Sequence, residues 1–207
     1  VKITDLLLSA HDNPENFDSK LDLARKRFKN LALELDSKIN IDETFDKIVE
    51  TYKATGSRDY LISRGEFITA QLMAEQLGFD FIDTAEVIRF DNDGKLLADV
   101  TRANIQKLIR EHEHIVFPGF YGANEVGEVV TFSRGGSDIT GSIVATAAKA
   151  DLYENWTDVP GLLMADPRIV KQPLSVPVII YKELRELALR GAEVLHEDAV
   201  RPVSQCG

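Results

Sequence analysis

One stretch of the chain, EVVTFSRGGSDITGSIVATAAKAD, constrains the fold more than any other. In it an apolar run, Val129 to Phe132, stops at the six residues SRGGSD, 133–138. A helical pattern follows at once, because Ile139, Ile143 and Ala147 recur at every fourth position. The stretch therefore predicts a buried strand, a glycine turn and a helix, in that order.

Short apolar runs alternate with helical patterns along the rest of the chain. Helices are predicted at Pro14–Leu35, Ile41–Tyr52, Phe67–Leu77, Thr101–Glu111, Lys182–Arg190 and Val194–Val203. Strands are predicted at Phe79–Ile82, Glu86–Phe90, His114–Phe117, Val129–Phe132, Asp151–Asn155, Gly161–Met164 and Val176–Tyr181. This alternation indicates an α/β fold with a mainly parallel sheet, organised as one domain over residues 1–207.

Composition narrows the possible partners and the cellular compartment. The 207 residues include 24 Lys and Arg against 34 Asp and Glu, a net charge of −10, which argues against generic binding to nucleic acid or anionic membranes. No apolar run approaches the roughly 20 residues that cross a bilayer. The single cysteine, Cys206, cannot form an internal disulfide, so a cytoplasmic location is predicted.

The glycine turn has the composition of an anion site. A helix N-terminus presents unpaired N–H groups, and Gly135 and Gly136 let a ligand approach the backbone closely. Arg134 adds a guanidinium that can grip a carboxylate or phosphate through two parallel hydrogen bonds. Asp138 would then face a cation. The alternative is a plain tight turn with Ser137 or Asp138 as the helix cap and Arg134 in solvent, and the turn alone does not decide.

Three other segments have unusual composition for loops. Arg64 and Glu66 flank a glycine at a predicted helix start, where Ser63 and Glu66 also fit an ordinary capping box. The segment 155–161 holds the only tryptophan, and 165–168 reads ADPR. The chain has no GxxxxGK[ST] or GxGxxG motif. His112 and His114 lack partners at metal-ligand spacing and Cys206 lacks those of a nucleophile, so no metal ligands are predicted. His196 is interpreted as a packed or capping histidine, with a general base as the alternative.

Taken together, these motifs resemble the catalytic domain of the aspartate kinases (aspartokinases), in the amino-acid kinase superfamily. The resemblance rests on KITDLLL, SRGEF, YGAN after FPGF, TFSRGGSDITGSIVA and ENWTDVPGLLMADPRIV, and it runs from Lys2 to about His196. It implies an αβα sandwich fold. It also implies transfer of a phosphoryl group from ATP to L-aspartate, with Mg²⁺ held mainly by phosphate oxygens. The product is 4-phospho-L-aspartate, and the reaction is the first step toward lysine, threonine and methionine. The resemblance also implies a homo-oligomer.

The resemblance also assigns roles to individual residues. Arg134 would clamp a carboxylate of aspartate, Glu66 would meet its ammonium group, and Thr4 would line the same pocket. The reacting end would be formed by four consecutive residues: Gly135, Gly136, Ser137 and Asp138. The nucleotide would contact four more: Thr157, Asp158, Asp166 and Arg168.

Some features depart from the family pattern. Aspartate kinases begin with a strand that carries a Lys-Phe-Gly-Gly motif, and this sequence contains none. Glu193 stands where many members have a basic residue, and no regulatory ACT domain follows. We therefore expect a partial catalytic domain. Two alternatives remain: a kinase for another acidic amino acid or a carbamate, or a fragment without turnover that at most binds nucleotide or a partner.

Overall fold

The computed structural model describes residues 1–133, 135–156, 161–166 and 168–189. The chain divides into two compact units, Val1–Phe132 and Ser133–Gly207. The first unit contains five α-helices: α1 Ile3–Asp12, α2 Phe17–Glu34, α3 Ile41–Thr55, α4 Arg58–Leu77 and α5 Ala98–Glu111. It also contains short 3₁₀ turns at Pro14–Asn16 and Thr84–Glu86 and four strands: β1 Asp80–Phe81, β2 Ile115–Val116, β3 Tyr121–Ala123 and β4 Val129–Thr131. In the second unit, the described residues form α6 Gly136–Ala148 and α7 Tyr181–Leu189.

The core of the first unit lies between its first four helices. Apolar residues at helical spacing on α2 and α3 face the buried side chains of α1 and α4; the cluster includes Leu6, Leu7, Leu21, Ala24, Phe28, Phe45, Ile48, Leu61, Ile68 and Leu72. Each fully buried Leu, Ile or Phe contributes roughly 1.5–3 kcal/mol. The predicted helices over α2, α3 and α5 are confirmed, whereas α1 was not predicted.

Helix α4 begins well before the predicted start at Phe67. Ser57 caps it, because the Ser57 hydroxyl accepts a hydrogen bond from the Tyr60 N–H at 3.1 Å. The capping box proposed for Ser63 and Glu66 is therefore wrong, since both residues lie inside the helix. The pattern was hard to recognise because α4 is buried on several sides and carries no single apolar stripe.

The strands are short and pair in two ways. β1 and β2 are parallel, with Asp80 opposite Ile115, and α5 forms the crossover between them. β3 and β4 form an antiparallel hairpin. The predicted strand Glu86–Phe90 is replaced by a 3₁₀ turn and an isolated parallel bridge from Arg89 to Ala123. Gly122 permits that bridge, because a Cβ there would lie 2.4 Å from the Ile88 carbonyl oxygen.

The second unit contains the helix predicted after the glycine turn. Helix α6 follows Gly135, whose φ of 58° lies in the left-handed region that favours glycine. Tyr153 packs on this helix at Gly141, where a Cβ would lie 2.4 Å from the Tyr153 hydroxyl oxygen. Helix α7 matches the helix predicted at Lys182–Arg190.

Three strand predictions in this unit are wrong. Over Asp151–Asn155, Gly161–Met164 and Val176–Tyr181, the described residues contribute only an isolated bridge between Leu163 and Ser175. A run of a few apolar residues has no periodicity to identify it as a strand, and a strand forms only against a paired edge. The helix predicted at Val194–Val203 lies outside the described residues. Within the described part of the chain, no helix is both long and apolar enough to span a membrane.

Candidate functional site

The structure brings Thr4 and Glu66 together, although 62 positions separate them in the chain. Thr4 lies in the first turn of α1 and Glu66 near the middle of α4, and the Thr4 hydroxyl donates to Glu66 Oε1 at 3.5 Å. Both residues line a cavity of about 470 Å³. The remaining walls are the start of α1, the face of α4 from Gly65 to Met73, and the segment Val116–Gly119 after β2. The candidate site is therefore a pocket between two helices and a strand end.

Gly65 sets the spacing between the two helices at this pocket. A Cβ at Gly65 would lie 3.0 Å from the Ile3 side-chain methyl Cγ2, which is tighter than an ordinary van der Waals contact. The absence of a side chain at Gly65 thus lets the first turn of α1 lie against α4. Thr4, the next residue after Ile3, comes within reach of Glu66 as a result.

The two carboxylate oxygens of Glu66 differ in their hydrogen bonding. Oε1 accepts from Thr4, whereas Oε2 is buried and has no hydrogen-bond partner among the described residues. Burial raises the pKa of Glu66, and the hydrogen bonds and the charge of Arg64 oppose that rise. A buried oxygen without a donor costs free energy, which a cationic ligand in the pocket would recover.

Arg64 is a buried cation that our sequence analysis did not assign to the site. Its side chain is only 4% exposed, and its guanidinium donates to the Tyr60 carbonyl and to the Ser63 hydroxyl. Three aromatic rings surround it, those of Tyr60, Phe67 and Tyr121, with ring centres 4.5, 4.6 and 4.9 Å from the guanidinium carbon. Tyr60 and Phe67 lie at helical spacing from Arg64, so a predicted helix with the observed bounds of α4 would have indicated their contacts with the guanidinium.

Tyr121 connects this cluster to the segment after β1. Its ring is fully buried, and its hydroxyl donates to Asp83 Oδ1 at 2.7 Å. Burial raises the pKa of Tyr121, so the hydroxyl keeps its proton and remains a donor. Asp83 also accepts from the backbone N–H of Ala85 and so caps the 3₁₀ turn at Thr84–Glu86.

The glycine turn is described except at Arg134, which lies outside the described residues. Gly135 occupies the N-cap position of α6 without a side-chain cap, so the alternative in which Ser137 or Asp138 caps the helix is wrong. Gly136 is buried at the first position of the helix, and Ser137 is exposed. Asp138 accepts from the Asn155 amide at 3.2 Å, and the Tyr153 hydroxyl donates to the Asp138 carbonyl at 3.4 Å. The start of α6 thus presents N–H groups beside a partly buried acid.

Asp166 and Arg168 contact each other directly. The Arg168 guanidinium donates to both carboxylate oxygens of Asp166, at 2.7 Å for the shortest contact, and the Arg168 N–H donates to Oδ1. Hydrogen bonding by Arg168 lowers the pKa of Asp166. Thr157 and Asp158, the other two residues predicted at the nucleotide, lie outside the described residues.

The described acids and histidines do not assemble a metal site. Within residues 1–133, 135–156, 161–166 and 168–189, no group of three or more His, Cys, Asp or Glu side chains could hold a metal ion. His112 instead pairs with Asp80 at 2.8 Å.

Comparison with known proteins decides the family. A model of the amino acid kinase family matches residues 2–207. The chain is a member of the amino acid kinase family. Among curated proteins, this amino acid kinase is 33% identical to aspartokinase 3 of Bacillus subtilis (strain 168), over all of the chain and 49% of that protein. It is 35% identical to an aspartokinase of Rickettsia bellii, over 70% of the chain and 38% of that protein.

Solved structures agree with the family assignment. The structure matches that of the aspartate kinase of Clostridium acetobutylicum with a TM-score of 0.89 and 43% identity, over all of the chain and 47% of that protein. It matches E. coli aspartokinase III, solved in complex with aspartate and ADP, with a TM-score of 0.87 and 28% identity, over all of the chain and 51% of that protein. The predicted resemblance to aspartate kinases and the α/β class are confirmed. The chain spans about half the length of these relatives, or less.

Proposed function

We propose that this protein transfers the γ-phosphoryl group of ATP to the side-chain carboxylate of L-aspartate. The observation that carries the proposal is the free, buried oxygen of Glu66 in a pocket shared with Thr4. Further support comes from relatives named aspartokinase and from a similar enzyme solved with aspartate and ADP. The product, 4-phospho-L-aspartate, would enter lysine, threonine and methionine biosynthesis in the cytoplasm. Residues 1–207 would belong to one catalytic domain of a homo-oligomer.

In this proposal Glu66 recognises the substrate ammonium group. Oε2 accepts a charge-assisted hydrogen bond from the ammonium, while the Thr4 hydroxyl keeps Oε1 in place. Burial of the pair strengthens the attraction, because less water screens it. The pocket is therefore selective for a free amino acid over an N-acylated or carbamate substrate, which lacks the positive charge.

The acceptor needs alignment more than activation. The aspartate side-chain carboxylate is already ionised at neutral pH, so no general base has to remove a proton from it. Phosphoryl transfer depends on aligned reactants and on neutralised oxygens. The glycine turn and the first N–H groups of α6 supply the donors for such an anion, and Arg134 is proposed to bind a carboxylate of aspartate. The proposed nucleotide contacts remain Thr157, Asp158, Asp166 and Arg168.

The proposal is tested by ADP release from the intact gene product with aspartate and ATP varied in turn. Glu66→Gln should raise the KM for aspartate by about 10- to 100-fold, the loss of one charge-assisted hydrogen bond, and leave the KM for ATP within about twofold. Glu50→Gln, which neutralises an exposed acid on α3, serves as the matched control and should leave both constants unchanged. An unchanged KM for aspartate in Glu66→Gln would remove Glu66 from the substrate site.

A substrate panel separates the alternatives. L-Aspartate should be turned over, and N-acetyl-L-aspartate should not, because acetylation removes the charge that Glu66 is proposed to bind. L-Glutamate tests the other acidic amino acid. Preference for glutamate or for the acetylated acid would assign the protein to another reaction of the same family.

A further inference from the structure

Asp138, which is proposed for the reacting end, is held by a segment from outside its own helix. It lies in the first turn of α6, and its Oδ1 accepts a hydrogen bond from the Asn155 side-chain amide at 3.2 Å. The two residues are 17 positions apart in the chain. An ionised carboxylate can only accept hydrogen bonds, so the Asn155 amide has to turn its NH₂ group toward it. The contact therefore orients both side chains.

Tyr153 attaches the same segment to α6. Residues 151–156 form neither helix nor strand, so no backbone ladder holds them in place. The Tyr153 ring lies against the helix at Gly141, and its hydroxyl donates to the Asp138 carbonyl at 3.4 Å. Burial raises the pKa of Tyr153, so the hydroxyl keeps its proton and remains a donor. Two contacts from one segment thus converge on Asp138.

The Asn155 amide is not needed to pack this segment. Asn155 is exposed, whereas Tyr153 is half-buried and makes the apolar contact with the helix. Many side chains are tolerated at an exposed position outside helices and strands. An amide that reaches a half-buried carboxylate at such a position indicates that the direction of the carboxylate matters.

The position of Asn155 in the chain indicates the purpose. It lies two residues before Thr157, where the segment proposed to contact the nucleotide begins. One hydrogen bond therefore joins the proposed reacting end to the start of the proposed nucleotide segment. Phosphoryl transfer depends on charged groups that are already oriented when the reactants bind.

We propose that Asn155 is a positioning residue that holds the Asp138 carboxylate in one direction at the reacting end. The inference rests on the proposed function, because it assumes that Asp138 acts in phosphoryl transfer. It assigns Asn155 no contact with aspartate or ATP. Glu154, the neighbouring acid, is exposed and accepts from the Trp156 indole at 3.4 Å, so it does not compete with Asp138 for the amide.

The test compares variants that differ in the group presented to Asp138. In the intact gene product, kcat and the KM values for aspartate and ATP are measured by ADP release from about pH 5.5 to about pH 8.5. Asn155→Leu has a similar size and no donor, so it should lower kcat about tenfold at every pH and leave both KM values within about twofold of wild type. Asn155→Gln keeps the amide and should retain about a third or more of the wild-type kcat.

Asn155→Asp should give a distinctive pH profile. At about pH 8.5 two carboxylates face each other, and their repulsion should lower kcat about 30-fold. As the pH falls, the pair takes up one proton and the protonated carboxyl donates to the other. The kcat relative to wild type should therefore rise about tenfold by about pH 5.5. A residue with only a packing role would not produce this pH dependence.

Asn92→Asp is the matched control. The Asn92 amide donates to the Glu125 carboxylate at 3.0 Å, and both residues are exposed. The substitution thus creates the same pair of carboxylates between two residues that have no proposed role in the site, and kcat and its pH profile should not change. Because Asn155 is exposed, each of its variants should keep a Tm within a few degrees of wild type, which excludes unfolding as the cause of a lower kcat.

The outcomes separate this inference from the proposed function. A wild-type kcat in Asn155→Leu, or a loss in Asn155→Asp that does not depend on pH, would overturn the inference and leave the proposed function intact. A raised KM for ATP with an unchanged kcat would make Asn155 a nucleotide contact and would also overturn it. If the wild-type protein releases no ADP with L-aspartate, the proposed function fails, and the inference fails with it.

Discussion

Glu66 illustrates how a binding residue can work against the stability of the fold that holds it. Its carboxylate is buried, one oxygen has no donor among the described residues, and burial raises its pKa. The folded protein therefore holds the Glu66 proton more tightly than the unfolded chain does. When Glu66 is ionised, its buried charge costs stability that a bound cation would restore.

The stability of Glu66→Gln should consequently depend on pH. Above the folded-state pKa of Glu66, the wild type carries the buried charge and the variant does not, so the variant should have the higher Tm. As the pH falls through that pKa, the wild type takes up its proton and the difference should disappear by about pH 4, where the unfolded chain is also protonated. Thermal unfolding at pH 7.5, 6, 5 and 4 measures this. A wild type more stable than Glu66→Gln at pH 7.5 would contradict it.

The sequence could indicate some of these residues and not others. The motif resemblance selected Thr4 and Glu66 as neighbours of the substrate, and the structure brings them into one pocket, although their roles remain predictions. The sequence did not indicate the buried position of Arg64, because one of its partners is Tyr121. Tyr121 is distant in the chain and reaches Arg64 only once β3 packs on α4. No local pattern records that contact.

At the scale of whole elements, the pocket depends on the close packing of α1 against α4. Gly65 is the contact point, with the Ile3 methyl 3.0 Å from where a Cβ would stand. Alanine at this position would gain roughly 1 kcal/mol of helix propensity, and it would also push the first turn of α1 outward by a few tenths of an ångström. For the stability of the protein, the gain in helix propensity and the displacement of α1 oppose each other. For aspartate binding, only the displacement of α1 has an effect.

Gly65→Ala should therefore change aspartate binding more than stability. We expect a Tm within a few degrees of wild type and a KM for aspartate raised about three- to tenfold, because Thr4 moves away from Glu66. Steady-state kinetics and thermal unfolding of the same samples check both. The double variant Ile3→Leu with Gly65→Ala removes the offending branch methyl and should recover most of the KM. Failure of that rescue would place the defect elsewhere.

The accuracy of the predicted elements follows the strength of their periodicity. Helices α2, α3 and α5 have one apolar face and were found in the sequence. Helix α4 lacks such a face because it packs on several sides, and Gly65 in its interior resembled a break. The strands of two or three residues are too short to carry an alternating pattern, so their pairing is set by tertiary contacts.

At the scale of the whole molecule, the sequence was most informative about the family. The motifs are spread over most of the chain, and the family match likewise covers residues 2–207. One domain over residues 1–207 stays a prediction, and within it the residue contacts define two compact units with a boundary after Phe132, immediately before the glycine turn. Nothing in the composition around Phe132 resembles a linker, because the boundary lies between a strand and the helix that follows it.

The parallel pairing of β1 with β2 has a consequence for the order in which the protein acquires structure. Asp80 and Ile82 donate to the carbonyls of His114 and Val116, so the chain must close a long loop through α5 before these bonds form. The Asn124 N–H instead donates to Glu128 within the β3–β4 hairpin. Contacts between residues close in the sequence form early, whereas contacts between distant residues form only after the entropic cost of loop closure has been overcome.

Pulse-labelled hydrogen exchange during refolding of the intact gene product should show this order. The amide of Asn124 should become protected before those of Asp80 and Ile82, and the latter two should gain protection together because one closure event secures both. Simultaneous protection of all three would mean that the hairpin has no independent stability. If the predicted lag is found, newly synthesised chains would expose the unpaired edge of β1 until α5 and β2 had been made, and during that interval the edge would be open to chaperones or to other chains.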